Sequence, residues 1–159
     1  MFTLNETHHR PGAPDAINHA IAPPGYRALY QPRSDGWCGG GLAIFYHENL
    51  HVVPVPPPST TTTCEVQVVR FAVGNNRFVL ANVYRPPDTS ITTFFADLSD
   101  TIDCLLETGG RALFVGDLSC GGDTPSMLDH RLVDLLSGYG LTAVHDGPTR
   151  LDHATSRWS

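Results

Sequence analysis

The stretch Arg111-Ala-Leu-Phe-Val-Gly-Asp-Leu-Ser-Cys-Gly-Gly-Asp123 decides the fold. Ala112 to Val115 are apolar, and Phe and Val suit a pleated surface. A short apolar run followed by turn residues predicts a strand buried on both faces. Gly116 lets the backbone turn, and Asp117 follows at once. A carboxylate at the C-terminal end of such a strand is held rigidly beside the crevice where open α/β sheets bind ligands. Asp after Gly also caps turns, so this stretch leaves capping and chemistry as alternatives. Gly121-Gly122 leaves the next loop open to a closely approaching group.

Working outward, a helix and a hairpin precede this strand. Phe94, Phe95, Leu98, Ile102, Leu105 and Leu106 recur at helical spacing and predict one apolar face, with Asp97, Asp100, Asp103 and Glu107 elsewhere. Gly109-Gly110 stops that helix. Glu65 to Val73 and Arg77 to Tyr84 read as the two strands of a hairpin, with Asn75-Asn76 after Gly74 as its turn. Arg85-Pro86-Pro87 ends the second strand.

Nearer the start, Phe2 to Glu6 reads as a strand ending in a carboxylate. Asp15 to Ile21 reads as a short helix. Tyr26–Tyr30 and Leu42–Tyr46 read as strands around a glycine-rich loop. That loop opens a strand and lacks the Gly-Lys-Ser/Thr ending, which excludes a nucleotide P-loop. Pro54 marks His51–Val55 as an edge strand, and residues 56–63 as a connector. His8 and His9 read as solvated loop residues. Beyond the central stretch, Ser126 to Ser137 predicts a helix closed by Gly138, and Leu141–Val144 a short strand. Strands and helices in this order predict an α/β domain of mixed, layered sheets.

The 159 residues suit a single domain. Net charge is −6, and all ten basic residues are arginine. Such a chain is not a simple electrostatic coat for nucleic acid, although an acidic nuclease site that uses a metal ion stays open. No apolar run reaches the roughly 20 residues of a membrane helix, and a signal peptide is not visible. The expectation is an intracellular protein, cytoplasmic or nuclear, with no membrane partner. Cys38, Cys64, Cys104 and Cys120 form no Cys-x-x-Cys pair, so neither a zinc site nor a disulfide framework is expected.

Several stretches together resemble the endonuclease/exonuclease/phosphatase superfamily, in particular the endonuclease domain of non-LTR (LINE-type) retrotransposons. They are Asn5-Glu-Thr7, Gly25-Tyr-Arg27, Arg33-Ser-Asp35 with Gly39 to Ile44, Asn82-Val-Tyr-Arg-Pro-Pro87, Phe114-Val-Gly-Asp-Leu-Ser119, Leu132 to Thr142, and Gly147-Pro-Thr149. The resemblance implies a four-layer α/β sandwich of the DNase I-like kind, with mixed sheets and helices outside. It also implies metal-assisted phosphodiester cleavage, with DNA as partner and a reverse transcriptase domain in the full element. Glu6 would hold Mg²⁺ or Mn²⁺, Tyr84 would sit beside the scissile phosphate, and Asp117 would orient or deprotonate the attacking water. Oxygen ligands and a water-rich shell suit such an ion.

The sequence also departs from the family pattern. The family's Asn two residues after the Gly-Asp aspartate is Ser119 here. His153 matches the first of two family histidines near the C-terminus and is a candidate phosphate-binding residue, but the family's aspartate three residues on is Ser156 here. In the family the final histidine and its aspartate partner stabilise phosphate. The family's first strand and final Ser-Asp-His segment have no counterpart. The expectation is therefore a truncated, degenerate copy (a pseudoenzyme) with little hydrolytic activity. A non-catalytic remnant that binds a partner and a phosphatase or phosphodiesterase of the same superfamily are the alternatives.

Overall fold

The computed structural model describes residues 1–9, 12, 22–33, 39–59, 62–87, 89–119, 127–144, 151–152 and 157–158. The chain divides into two compact units, Met1–Leu118 and Ser119–Ser159. The first unit holds two sheets. One is antiparallel with strand order β1-β3-β2, built from β1 (Phe2–Asn5), β2 (Tyr26–Gln31) and β3 (Leu42–His47). The other has order β4-β5-β6-β7, from β4 (Val52–Val55), β5 (Glu65–Val73), β6 (Asn76–Tyr84) and β7 (Arg111–Asp117). Its strands are antiparallel except for the parallel pair β6 and β7, which helix α1 (Ile91–Glu107) connects.

Alternation along β5 and β6 sorts side chains onto two faces, because successive residues of a strand point to opposite sides. One face carries Val66, Val68, Val79, Ala81 and Val83, and Leu105 of α1 packs against it with Ala112 and Phe114. The other face carries the register pairs Phe71–Phe78, Val69–Leu80, Gln67–Asn82 and Glu65–Tyr84. Ile44 of β3 joins Val69 and Leu80 there in one buried cluster, so this face meets the antiparallel sheet. Along it the pairs change from aromatic to aliphatic to amide, and finally to acid and phenol.

The amide row joins the sheets in both directions. Gln67 Nε2 donates to Leu29 O and Gln31 Nε2 donates to Val66 O, each at 3.0 Å. Asn82, fully buried, donates through Nδ2 to Leu4 O at 3.2 Å. A buried amide is tolerated when it is hydrogen-bonded, and these bonds fix one sheet against the other.

The structure corrects several expectations. β7 is not buried on both faces: Leu113 and Val115 are exposed. Among the described residues it pairs with β6 alone, and only Ala112 and Phe114 face the helix-covered side. Within α1, Leu106 is exposed and Asp97 is buried. Asp97 accepts from Thr62 N–H at 2.7 Å and from Thr63 N–H and Oγ1 at 2.8 Å. That explains its burial, since the connector before β5 covers the carboxylate and satisfies it. The hairpin turn is Gly74-Asn75, with Gly74 at φ +58° in the glycine position of a II′ turn, so β6 starts at Asn76. Pro54 sits on the edge strand β4, as expected.

The second unit contains helix α2 (Met127–Gly138) and the short pair β8 (Leu151–Asp152) and β9 (Arg157–Trp158). Gly138 is within the helix. Gly140, at φ +69°, ends it: Leu141 N–H donates to Leu136 O and Gly140 N–H to Ser137 O. This is the Schellman arrangement, and it consumes Leu141, which was expected to start a strand. Residues 141–144 form no strand. The expected helix at Asp15–Ile21 and the Gly121-Gly122 loop lie outside the described residues.

Gly116 has φ +130°, and a Cβ there would collide with the Val83 carbonyl oxygen. Gly116→Ala should cost about 3 kcal/mol of unfolding free energy in urea. Gly74→Ala, with nothing near its Cβ position, should cost about 1 kcal/mol.

Asp97 supplies a pH-dependent contribution. Burial raises its pKa, but the four hydrogen bonds from Thr62 and Thr63 outweigh this and hold it below the ordinary carboxylate value. A depressed native pKa means stability is present above the unfolded value of about 3.9 and is lost as pH falls through the native value. At pH 7 Asp97→Asn should be about 2 kcal/mol less stable than wild type in urea melts, and the gap should close as pH drops below about 4.

Candidate active site

The polar end of the inter-sheet face gathers the residues singled out for chemistry. β6 ends at Tyr84, whose register partner on β7 is Asp117 and on β5 is Glu65. β1 ends at Asn5, and Glu6 follows at φ +53°, an uncommon backbone state for a residue with a side chain. The Tyr84 hydroxyl donates to Glu6 Oε1. Two sheets thus deliver Glu6, Tyr84 and Asp117 to one place.

Asn5 closes the cluster. With its amide oriented to satisfy its neighbours, Oδ1 accepts from Asp117 N–H at 2.6 Å and Nδ2 donates to Asn82 Oδ1 at 2.7 Å. Arg85 secures the strand ends: its N–H donates to Asp117 O at 2.9 Å, and its buried guanidinium donates to Leu118 O and lies 5.1 Å over the Phe94 ring.

A glycine loop borders the cluster. Thr7 N–H donates to Gly41 O and His8 N–H to Gly40 O, which continues the pairing of β1 with β3. The Gly41 N–H donates to Glu65 Oε2 at 2.7 Å, and Arg33 Nε lies 3.9 Å from Glu65 Oε1. A Cβ on Gly40 would collide with the Glu65 carboxylate, so only glycine admits this approach.

Burial, then the hydrogen bond to Glu6, then the charges of Glu6, Asp117 and Glu65 push the Tyr84 hydroxyl up to about 12. Tyr84 is therefore a neutral donor at physiological pH. Burial, with Asp97 and Glu65 adding, pushes the Cys64 thiol up to about 12 as well, which removes it as a nucleophile.

The side chains that line this end offer oxygen donors: the carboxylates of Glu6 and Asp117 and the phenol of Tyr84. That donor chemistry fits a hard cation such as Mg²⁺, which keeps several waters and needs only one or two carboxylates. Among the described residues, no group of three or more His, Cys, Asp or Glu is arranged to hold a metal ion.

Glu6, Tyr84 and Asp117, expected at the site, come together. Ser119 is exposed at φ +48° and belongs to the second unit. His153 lies outside the described residues, as do Ser156, Cys38 and Cys120. Asn5, Asn82, Glu65 and Arg85 were not singled out for the site from the sequence. The available signal for Asn82 was an amide in the middle of the apolar run Phe78 to Tyr84.

Residues 1–157 match the model of the Endonuclease/Exonuclease/phosphatase family, and the chain belongs to that family. Its structure is similar to the endonuclease domain of TRAS1, a telomere-specific non-LTR retrotransposon, with TM-score 0.63 and 19% identity over 84% of this chain and 62% of that one. Truncated Caenorhabditis elegans TDP2 gives TM-score 0.49 and 17% identity over 91% of this chain and 53% of that one. The chain thus spans less than two thirds of either solved structure. No curated protein matches it in sequence. The DNase I-like α/β fold implied by the resemblance is the fold observed. No helix among the described residues is long and apolar enough to cross a membrane.

Tyr84 ionisation can be followed by difference absorbance, with Tyr84→Phe identifying its contribution. Glu6→Gln should move the midpoint below the wild-type value near 12, since it removes a charge that disfavours the phenolate.

Proposed function

We propose that this chain carries the carboxylate half of a metal-dependent phosphodiester hydrolase site that acts on DNA, of the retrotransposon endonuclease kind, with turnover strongly weakened. The observation that carries the reading is the meeting of Glu6, Tyr84 and Asp117 at one end of the inter-sheet layer, tied by the Tyr84–Glu6 and Asn5–Asp117 hydrogen bonds. Family membership and the fold shared with the TRAS1 endonuclease domain are compatible with it.

Each side chain has a task. Glu6 would hold the divalent ion, Mg²⁺ or Mn²⁺, and its carboxylate is oriented by the Tyr84 hydroxyl. When bound, the ion polarises a phosphoryl oxygen and offsets its developing charge. Asp117, exposed at the end of β7, accepts a proton from an attacking water within hydrogen-bond reach. Tyr84, kept neutral, donates to a phosphate oxygen or to Glu6 but not to both at once.

Weak turnover follows from the other half. Ser119 is shorter than the family's asparagine and lacks its two amide donors. Ser156 stands where the family has an aspartate, three residues after the histidine that His153 matches, so that carboxylate is missing. Losing part of a catalytic unit costs orders of magnitude in rate.

Calorimetric titration with Mg²⁺ should give binding that Glu6→Gln abolishes. Plasmid nicking should be slow, require Mg²⁺ or Mn²⁺, and disappear in Asp117→Ala. No binding heat would overturn the metal site and favour a non-catalytic remnant. Nicking that survives Asp117→Ala would overturn the assignment of the base. Hydrolysis of small phosphate esters in preference to DNA would favour a phosphatase.

A further inference from the structure

Asn5 stands between the two carboxylates. It precedes Glu6 in the chain, and its Oδ1 accepts from the backbone N–H of Asp117, which is 112 positions from it in sequence. β1 and β7 belong to different sheets and share no ladder. A side-chain amide therefore does what a ladder cannot, and ties the end of one sheet to the end of the other.

Asn82 holds Asn5 in that pose. It is fully buried, and both ends of its amide are used. Nδ2 donates to Leu4 O at 3.2 Å and Ala43 O at 3.5 Å, while Oδ1 accepts from Asn5 Nδ2. The Asn5 amide is then fixed in orientation, with its oxygen toward Asp117. Reversing it would set oxygen against oxygen at Asn82. The chain Leu4 O to Asn82 to Asn5 to Asp117 N–H runs in one direction of donation.

We propose that Asn5, oriented by Asn82, is a positioning residue that sets the Asp117 carboxylate against Glu6. The inference deepens the nuclease reading and rests on it for its catalytic consequence. Asn5 touches neither substrate nor ion in this assignment. It acts through the backbone of Asp117, and a displacement near 1 Å at a reacting group costs on the order of 100-fold in rate.

The test uses the 159-residue chain and its Asn5→Ala, Asn5→Asp and Asn82→Leu variants. The first readout is hydrogen exchange of the Asp117 amide. It should be slow in wild type, fast in Asn5→Ala and Asn82→Leu, and partly slowed again in Asn5→Asp, whose carboxylate restores the acceptor. The second is Mn²⁺ affinity, which should change less than about threefold in Asn5→Ala because Glu6 is retained. The third is nicking, in which kcat should fall about 100-fold in Asn5→Ala with KM unchanged. Unaltered exchange at Asp117 in Asn5→Ala overturns the inference, as does unaltered kcat. A wild-type chain that neither binds Mn²⁺ nor nicks DNA overturns the nuclease reading instead, and the exchange experiment then decides the Asn5–Asp117 tie on its own.

Discussion

Two β-sheets packed face to face ordinarily share an apolar layer, and a polar group placed there must find partners. Here the layer carries a row of amides, Gln31, Gln67, Asn5 and Asn82, which reach the opposite sheet or one another. Each bond contributes modestly against water, about 1 kcal/mol. The larger effect is on alternatives: a slip of either sheet would strip the buried Gln67 and Asn82 and the half-buried Gln31 and Asn5 of these partners at once. The amide row thus sets how the sheets align. Alignment is what the site requires, because Glu6 comes from one sheet and Tyr84 and Asp117 from the other.

The composition of the layer changes along its length. Phe71 and Phe78 stack at one end, with ring centroids 5.2 Å apart, and Ile44, Val69 and Leu80 follow. Gln67 and Asn82 come next, then Glu65, Tyr84 and Asp117. The apolar end supplies the burial that stabilises the stack, while the acid end stays open enough for Glu6 and Asp117 to be exposed. Close approach at that end is a backbone matter. Gly116 lets β7 lie against Val83, and Gly40 lets the glycine loop lie against Glu65.

Much of this was legible in the sequence. The turn residues after Gly74, set between the runs Glu65–Val73 and Arg77–Tyr84, marked the hairpin, and helical spacing from Phe94 to Leu105 marked α1. The Gly116-Asp117 pair and the Glu6 strand end pointed to residues that the structure brings to one end of the inter-sheet layer. What stayed hidden depends on pairs distant in sequence. Asp97 looks like any solvent-facing helix carboxylate until Thr62 and Thr63 fold over it. The apolar run at Ala112 looks doubly buried until the sheet order puts β7 beside β6 alone among the described strands. Asn5 and Asn82 open two of the family-like stretches, but they show no role of their own until two sheets bring them within 2.7 Å. The αL ending at Gly140 was hidden by Gly138, an equally plausible stop two residues earlier.

Glu6, held by the Tyr84 hydroxyl, and Asp117, held at its N–H by Asn5, lie at the same end of the inter-sheet layer, and the proposed function requires that Glu6 hold a divalent cation there. Anomalous diffraction from crystals grown with Mn²⁺ tests this most directly. The expected result is a peak in direct coordination contact with a Glu6 carboxylate oxygen. A peak held by other residues, with none at Glu6, would contradict it.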